Sequence, residues 1–384
     1  MNRKELIGMK KIKKKRIMGM LLSACLITTI LLPSASLAED ELTGSMTLEQ
    51  SIEYALAHSE SLNLFDDNID LKDDALGEAE DQYSDYTSGD SSYDNLGNLE
   101  RSKIRNQYFV IAAQAEYDQA VADYEVEEEK IAYEATRYFY SLLLAQENLK
   151  SSLTSYERAG DNLKLANTRY ELGDATLLNV TLAENRLVEA QNTMQTNREN
   201  LQLTEMQWKL FLGLAYDQEQ QIHGSWNNLV LPDVVSRIDP LQFEELVEMD
   251  SSVIRAENSY ELQTISYEGL LNIYSKVNKE YEKYLYEYEQ SAYNLDQALN
   301  QAWLSLYDDY FSLLQQDRSF QESVADLSYQ ETLYKQEELK YSLGETSLND
   351  LLDAEQSLYN ANLQLNQQKI NLLLGSLDWQ NQYQ

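Results

Sequence analysis

The chain has 384 residues, 43% of them apolar, with 30 basic against 65 acidic side chains and a net charge of −35 at pH 7. Such an acidic surface repels nucleic acid and anionic lipid head groups, which argues against both as partners. With only 3 prolines and 13 glycines the composition suits long helices better than several compact domains, and a single cysteine, Cys25, excludes a disulfide-stapled fold.

The amino terminus carries Arg3, Lys4, Lys10, Lys11, Lys13, Lys14, Lys15 and Arg16, then an apolar run from Ile17 to Leu32, then Ser36-Leu37-Ala38 ahead of acidic Glu39-Asp40. This order predicts a secretory signal peptide over residues 1–38, cut after Ala38. The tetrad Leu22-Ser23-Ala24-Cys25 also fits a lipoprotein processing box, which would leave Cys25 as a lipidated first residue. The mostly apolar residues that continue beyond Cys25 favour the first cut. The run is short of the ~20 apolar residues that a spanning helix needs. Removing residues 1–38 takes away eight basic side chains and one acid, so the remaining chain is more acidic still.

From Thr47 the apolar residues Leu48, Ile52, Ala55, Leu56 and Leu62 recur at helical spacing, with Thr47 and Gln50 forming a capping box. This helix is expected to run to about Tyr83, and the Ser-, Gly-, Asp- and Asn-rich residues 84–100 to form a loop. From Arg101 to Leu172 no proline occurs, and Ile111, Ala115, Val121, Ile131, Ala135, Leu142, Leu149 and Leu153 keep the helical period. An unbroken helix of that length would span on the order of 100 Å, too long for a globular core and suited to a coiled coil or helical tube. The chain is expected to turn at Leu172-Gly173-Asp174 and return from about Thr176 to Leu212, completing a first helical repeat over 47–214. A polar linker, 215–240, holds Pro232 and Pro240 and one candidate edge strand at 226–232. A second repeat, 241–384, runs through a tyrosine-rich segment to a turn at Gly344 and closes with a helix from about Ser347 to Trp379.

The two repeats are copies. A shift of 171 residues lays Tyr170–Ala190 on Tyr341–Ala361 and matches Tyr170/Tyr341, Leu172/Leu343, Gly173/Gly344, Leu177/Leu348, Ala183/Ala354, Glu184/Glu355, Leu187/Leu358 and Ala190/Ala361. The same shift pairs Trp208 with Trp379. The earlier segments correspond at a shift of 192, which places 21 extra residues in the first half. Each turn has a glycine suited to positive φ, and Thr176 and Ser347 stand three residues on as expected caps of the returning helices. The fold class is therefore all-α: two tandem repeats of very long antiparallel hairpins with little or no β-structure.

The motif Tyr341-Ser342-Leu343-Gly344, then Asp350-Leu351-Leu352-Asp353-Ala354 and Leu358-Tyr359-Asn360-Ala361, resembles the second-repeat tip of the TolC family of outer-membrane efflux proteins. Tyr170 to Ala190 resembles the first-repeat tip. The resemblance implies a homotrimer whose hairpins close into an α-helical barrel, a conduit for solutes. It also implies that the tips dock on a periplasmic adaptor, or membrane fusion, protein linked to an inner-membrane ABC or other efflux pump. Leu172, Gly173, Leu343 and Gly344 would be the docking ends, and Asp350, Asp353 and Tyr341 the pore constriction. Asp350 and Asp353 would form carboxylate rings that attract cations and impede anions. Thr346 stands where well-known members carry a gating arginine. Typical members also insert β-strands into the outer membrane. Glu261 to Leu299 instead reads as continuous helix former, so no transmembrane β-barrel is expected, and the chain belongs in the cell envelope with Cys25 as an alternative anchor.

No enzymatic chemistry, cofactor or metal site is expected. His58 and His223 lie in unrelated segments, and neither a glycine-rich phosphate loop nor a nucleophile elbow is present. The competing reading is a structural or adhesive coiled-coil protein of the envelope; the doubled tip motif favours the conduit.

Overall fold

The computed structural model describes residues 45–383 apart from 94–95, 216, 218–219, 225, 227–228, 230, 272, 274–278 and 344. The expected signal peptide and Cys25 lie outside the described residues, as does Gly344. Nine α-helices carry the described chain: α1 (Leu48–Ala57), α2 (Glu60–Ser88), α3 (Asn98–Arg105), α4 (Tyr108–Glu171), α5 (Leu177–Phe211), α6 (Phe243–Met249), α7 (Ser251–Leu271), α8 (Lys279–Ser342) and α9 (Leu348–Tyr383). Strand among the described residues is confined to β1 (Ser45–Met46) and β2 (Gln221–Ile222), which pair in parallel.

The internal repeat is reproduced residue for residue. Helices α4 and α8 are each 64 residues long. The 171-residue shift carries Tyr108–Glu171 onto Lys279–Ser342 and the start of α5 onto the start of α9. The 192-residue shift carries α1 onto the short 3-10 turn Pro240–Gln242 plus α6. The extra residues of the first half are divided between the longer α2 and the segment around α3.

Each long helix has two main partners, and α4 also touches α1, α7 and α9. The carboxyl-terminal part of α4 packs on α5, and its amino-terminal part on α2. The α2–α4 pairing is antiparallel in even register: Ser61 donates to Glu127 at 2.8 Å, Lys72 to Glu116 at 2.8 Å and Gln107 to the Tyr83 hydroxyl at 3.3 Å. Helices α7 and α8 repeat the arrangement through hydroxyl pairs Tyr260–Tyr288 and Tyr267–Tyr281, both 2.9 Å. The end of each repeat remote from the turns is thus a second helical hairpin, at the chain positions where the resemblance would set membrane strands.

Several local expectations are corrected. Thr47 and Gln50 do form the capping box, but the helix they start ends at Ala57. Ser59 then takes an extended conformation and accepts from the Leu62 amide, capping a new helix. Helix persists to Ser88 because Gly89, at φ 84°, supplies the left-handed stop that the sequence-expected loop start lacks. The long helix is interrupted at Gln107, whose φ of 58° breaks the run between α3 and α4. The stretch Glu261 to Leu299 is likewise two helices, ending at Leu271 and resuming at Lys279. The short strand among the described linker residues is Gln221–Ile222, fixed by pairing with β1; of the expected strand 226–232, residues 226, 229, 231 and 232 are not in strand, and 227, 228 and 230 lie outside the described residues.

The core lies at the ends of α5 and α9 away from the turns. Trp208 is wholly buried, and its indole N–H donates to Ser51 of α1 at 3.1 Å. In the second repeat Trp379 packs on Phe243, Tyr310 and Tyr383, with Val234, Val247, Val253, Leu306 and Leu372 completing the cluster. Phe243 stands at the repeat position of Ser51, so one copy holds its tryptophan with a hydrogen bond and the other packs it on an aromatic ring. Burial of such a side chain stabilises by roughly 1.5–3 kcal/mol.

Candidate functional site

The hairpin turns are the candidate site. At the first, α4 closes in a Schellman motif: the Gly173 amide donates to the Tyr170 carbonyl at 3.0 Å and the Asp174 amide to the Arg169 carbonyl at 2.8 Å. That pattern requires the residue after the cap to be left-handed, and Gly173 has φ 81°. The turn pushes Leu172, Leu177 and Leu178 outward, 71%, 62% and 67% exposed. Thr176 adopts the extended conformation of an N-cap, but its hydroxyl pairs with the Asn179 side chain and not with a backbone amide. The expected Thr176 cap is not formed; the hydroxyl donates to Asn179 Oδ1 and accepts from no backbone amide.

The second turn keeps the diagnostic bond, with the Glu345 amide donating to the Lys340 carbonyl at 2.9 Å, the 171-residue equivalent of Asp174 on Arg169. Here the cap is complete. The Asp350 amide donates to Ser347 Oγ at 3.3 Å, and the Ser347 amide returns the bond to Asp350 Oδ2 at 3.2 Å. The hydroxyls of Ser347 and Thr346 add further bonds to the same oxygen, at 2.7 and 3.1 Å. These donors hold the Asp350 carboxyl below its usual value. Thr346 thus engages Asp350 through an uncharged hydroxyl donor. Asp353, one turn further along α9, is exposed, and Leu343 and Tyr341 are 64% and 42% exposed.

Behind the turns the two hairpins are joined by contacts that the sequence does not signal. Arg158 of α4 pairs with Glu355 of α9, Ser155 donates to Gln356 at 3.0 Å and the Tyr359 hydroxyl donates to the Glu147 carbonyl at 3.0 Å. Arg186 of α5 reaches Asn349 of α9 at 3.4 Å. Burial pushes the Tyr359 hydroxyl up to about 12. These residues are about 200 apart in sequence and sit on helix faces with no local motif. Glu355 alone carried a hint, as one of the identities between repeats.

Both histidines have structural settings. His58 stacks on Tyr54 at 3.9 Å and bonds its carbonyl through Nδ1, and the His223 amide extends the β1–β2 pairing to the Met46 carbonyl. Among the described residues no helix is long and apolar enough to cross a membrane.

No protein-family model matches the sequence, and no curated protein matches it significantly. Solved structures match it in fold. The outer membrane protein VceC of Vibrio cholerae aligns at a TM-score of 0.62 with 15% identity, covering 87% of this chain and 95% of that one. The CmeC outer membrane channel of Campylobacter jejuni aligns at 0.62 with 13% identity over 90% of this chain and 89% of its own. CusC, described for transmembrane channel formation, aligns at 0.61 with 11% identity over 91% and 95%. The chain therefore has the TolC-like fold of outer-membrane channel subunits. Its described residues carry helical hairpins at both ends of each repeat.

Proposed function

We propose that the chain is one subunit of a homotrimeric, TolC-like export conduit of the cell envelope. Its tips dock on an adaptor protein coupled to an inner-membrane ABC or other efflux pump. The observation that carries this reading is the doubled hairpin: two tips built on the same hydrogen-bond pattern, each presenting an exposed leucine, Leu172 and Leu343, beside its turn. Exposed leucines on a tightly specified turn cost solubility and contribute nothing to the subunit's own core, which suits a surface meant to be covered.

The long helices support assembly in the same way. Leu203, Leu210, Leu304, Phe311 and Val324 are exposed on the isolated subunit, away from the tips. Three copies packed side by side would cover them. In the assembled entrance Asp353 would supply the freer carboxylate ring, since Asp350 is engaged with Ser347 and Thr346; Tyr341 would line the same constriction. Rings of carboxylates favour cations over anions. Gly173 and Gly344 would shape the docking ends, and Cys25 or the signal peptide cut would set the mode of anchorage.

The test is adaptor capture by a Leu172→Asp/Leu343→Asp chain. The proposal predicts loss of capture with the trimer mass retained; undiminished capture by this variant would remove the tips from docking.

A further inference from the structure

We propose that a cavity between α8 and α9, at the base of the second hairpin, binds a hard divalent cation of the calcium class. Asp309, Ser312 and Gln316 line one wall at one-turn spacings along α8, and Gly375 and Asp378 line the other, with Leu313 and Trp379 closing the floor. The cavity holds about 40 Å³, room for one ion or one to two waters. The polar side chains lining it offer two carboxylates, a hydroxyl and an amide. An oxygen set without thiol or imidazole selects calcium-like ions over transition metals.

The amide is the independent observation. Gln316 Oε1 is shielded from solvent and has no hydrogen-bond partner. It lies so close to Gly375 that a Cβ there would stand 1.9 Å away, so a side chain at this wall would displace the amide from its present position. Ser376, the next residue and itself wholly buried, also holds an unpartnered hydroxyl. Buried acceptors left unpaired are unfavourable, and so are two carboxylates facing one cavity. Asp309 accepts from the Tyr383 hydroxyl at 2.7 Å. Among the described residues neither aspartate has a lysine or arginine partner.

The fold does not require this arrangement. The 171-residue shift places Tyr138, Ser141, Ala145, Thr204 and Gln207 at the equivalent positions of the first repeat, where no carboxylate remains. A cation here would tie α8 to α9 beside Trp379, independently of any docking at the tips. No described group gathers three or more His, Cys, Asp or Glu side chains. Two carboxylates completed by neutral oxygens and water therefore place the site at the weak end of calcium affinities, with Kd about 10⁻⁴ to 10⁻³ M.

Calorimetric titration of the purified chain with calcium chloride tests this. A chain this acidic binds calcium diffusely, so the control is Asp66→Asn/Asp70→Asn on exposed α2, which changes the charge as much as Asp309→Asn/Asp378→Asn does. We expect a saturable site in the wild type and the control, its loss in the Asp309→Asn/Asp378→Asn chain, and severalfold weakening in Gln316→Leu, which keeps both charges. Calcium should raise Tm for wild type and control only. Without calcium the Asp309→Asn/Asp378→Asn chain should melt above wild type, because the carboxylate repulsion is gone. Retention of the saturable site in that chain, or only diffuse binding in wild type, as for a cavity that holds water alone, would overturn the proposal.

Discussion

Replacing Gly173 by alanine isolates one physical term at the first tip. A Cβ at this position would meet nothing within 4 Å, so the substitution adds no clash and removes no contact. What it changes is the backbone: φ is 81°, a conformation that costs an L-residue roughly 1–2 kcal/mol. Gly160 is the internal control, since its Cβ would also meet nothing within 4 Å but it sits inside α4. There alanine should stabilise by roughly 0.8–1 kcal/mol. The same chemical change thus has opposite signs at two sites 13 residues apart. Amide hydrogen exchange of a peptide spanning residues 165–180 is the assay, because tip opening is local and global unfolding would miss it. A cost of 1–2 kcal/mol raises the open population by roughly 5- to 30-fold, and Gly173→Ala should accelerate exchange by that factor. Unchanged or slower exchange in Gly173→Ala would refute the argument that the left-handed turn holds the tip.

Four other outcomes follow. Gln107→Gly should raise thermal stability by about 1 kcal/mol, since it relieves a left-handed non-glycine residue and gives up only an exposed 3.3 Å bond to Tyr83; a lower Tm would contradict this. Trp208→Phe strands the buried Ser51 hydroxyl and should cost about 1–3 kcal/mol beyond its packing loss, part of which Ser51→Ala in the same chain should restore in urea unfolding. Ser347→Ala should cost about 1 kcal/mol at the second tip, while Thr176→Ala, whose hydroxyl caps no amide, should cost less; hydrogen exchange at each tip distinguishes them. The Asp350 carboxyl is held below the ordinary aspartate value, so its contribution is complete above that value, roughly pH 3.9, and is lost as pH falls through the depressed one. Exchange at the second tip should therefore accelerate on acidification below pH 4 more than at the first, where Thr176 and Asn179 carry no charge; equal acceleration would contradict the assignment.

The large features were legible because they are periodic. Two copies of one pattern at a 171-residue shift predict two equal hairpins, and the 64-residue α4 and α8 obey that shift at both ends. Proline-free sequence hid the breaks: His58–Ser59 and Gln107 interrupt helices without a proline or glycine to announce them, since a serine cap and a single left-handed residue suffice. Thr176 and Ser347 look alike in sequence, yet only Ser347 caps the backbone: the Thr176 hydroxyl donates to Asn179 and accepts from no amide, whereas Ser347 accepts from the Asp350 amide and completes a box with it. The Arg158–Glu355 pair and its neighbours were illegible for a different reason. They depend on which faces of α4 and α9 meet, and tertiary packing decides that. Trp208 and Trp379 were legible as a pair, but their different partners, Ser51 and Phe243, emerged only from the fold.

The conduit reading stands or falls most directly on assembly. The measurement is the mass of the processed chain in solution by light scattering, across protein concentration and ionic strength. A trimer, three times the subunit mass, is the result the proposal predicts. A strict monomer under all conditions would contradict it, because the exposed leucines and phenylalanines of the long helices would then remain uncovered and no tube would form.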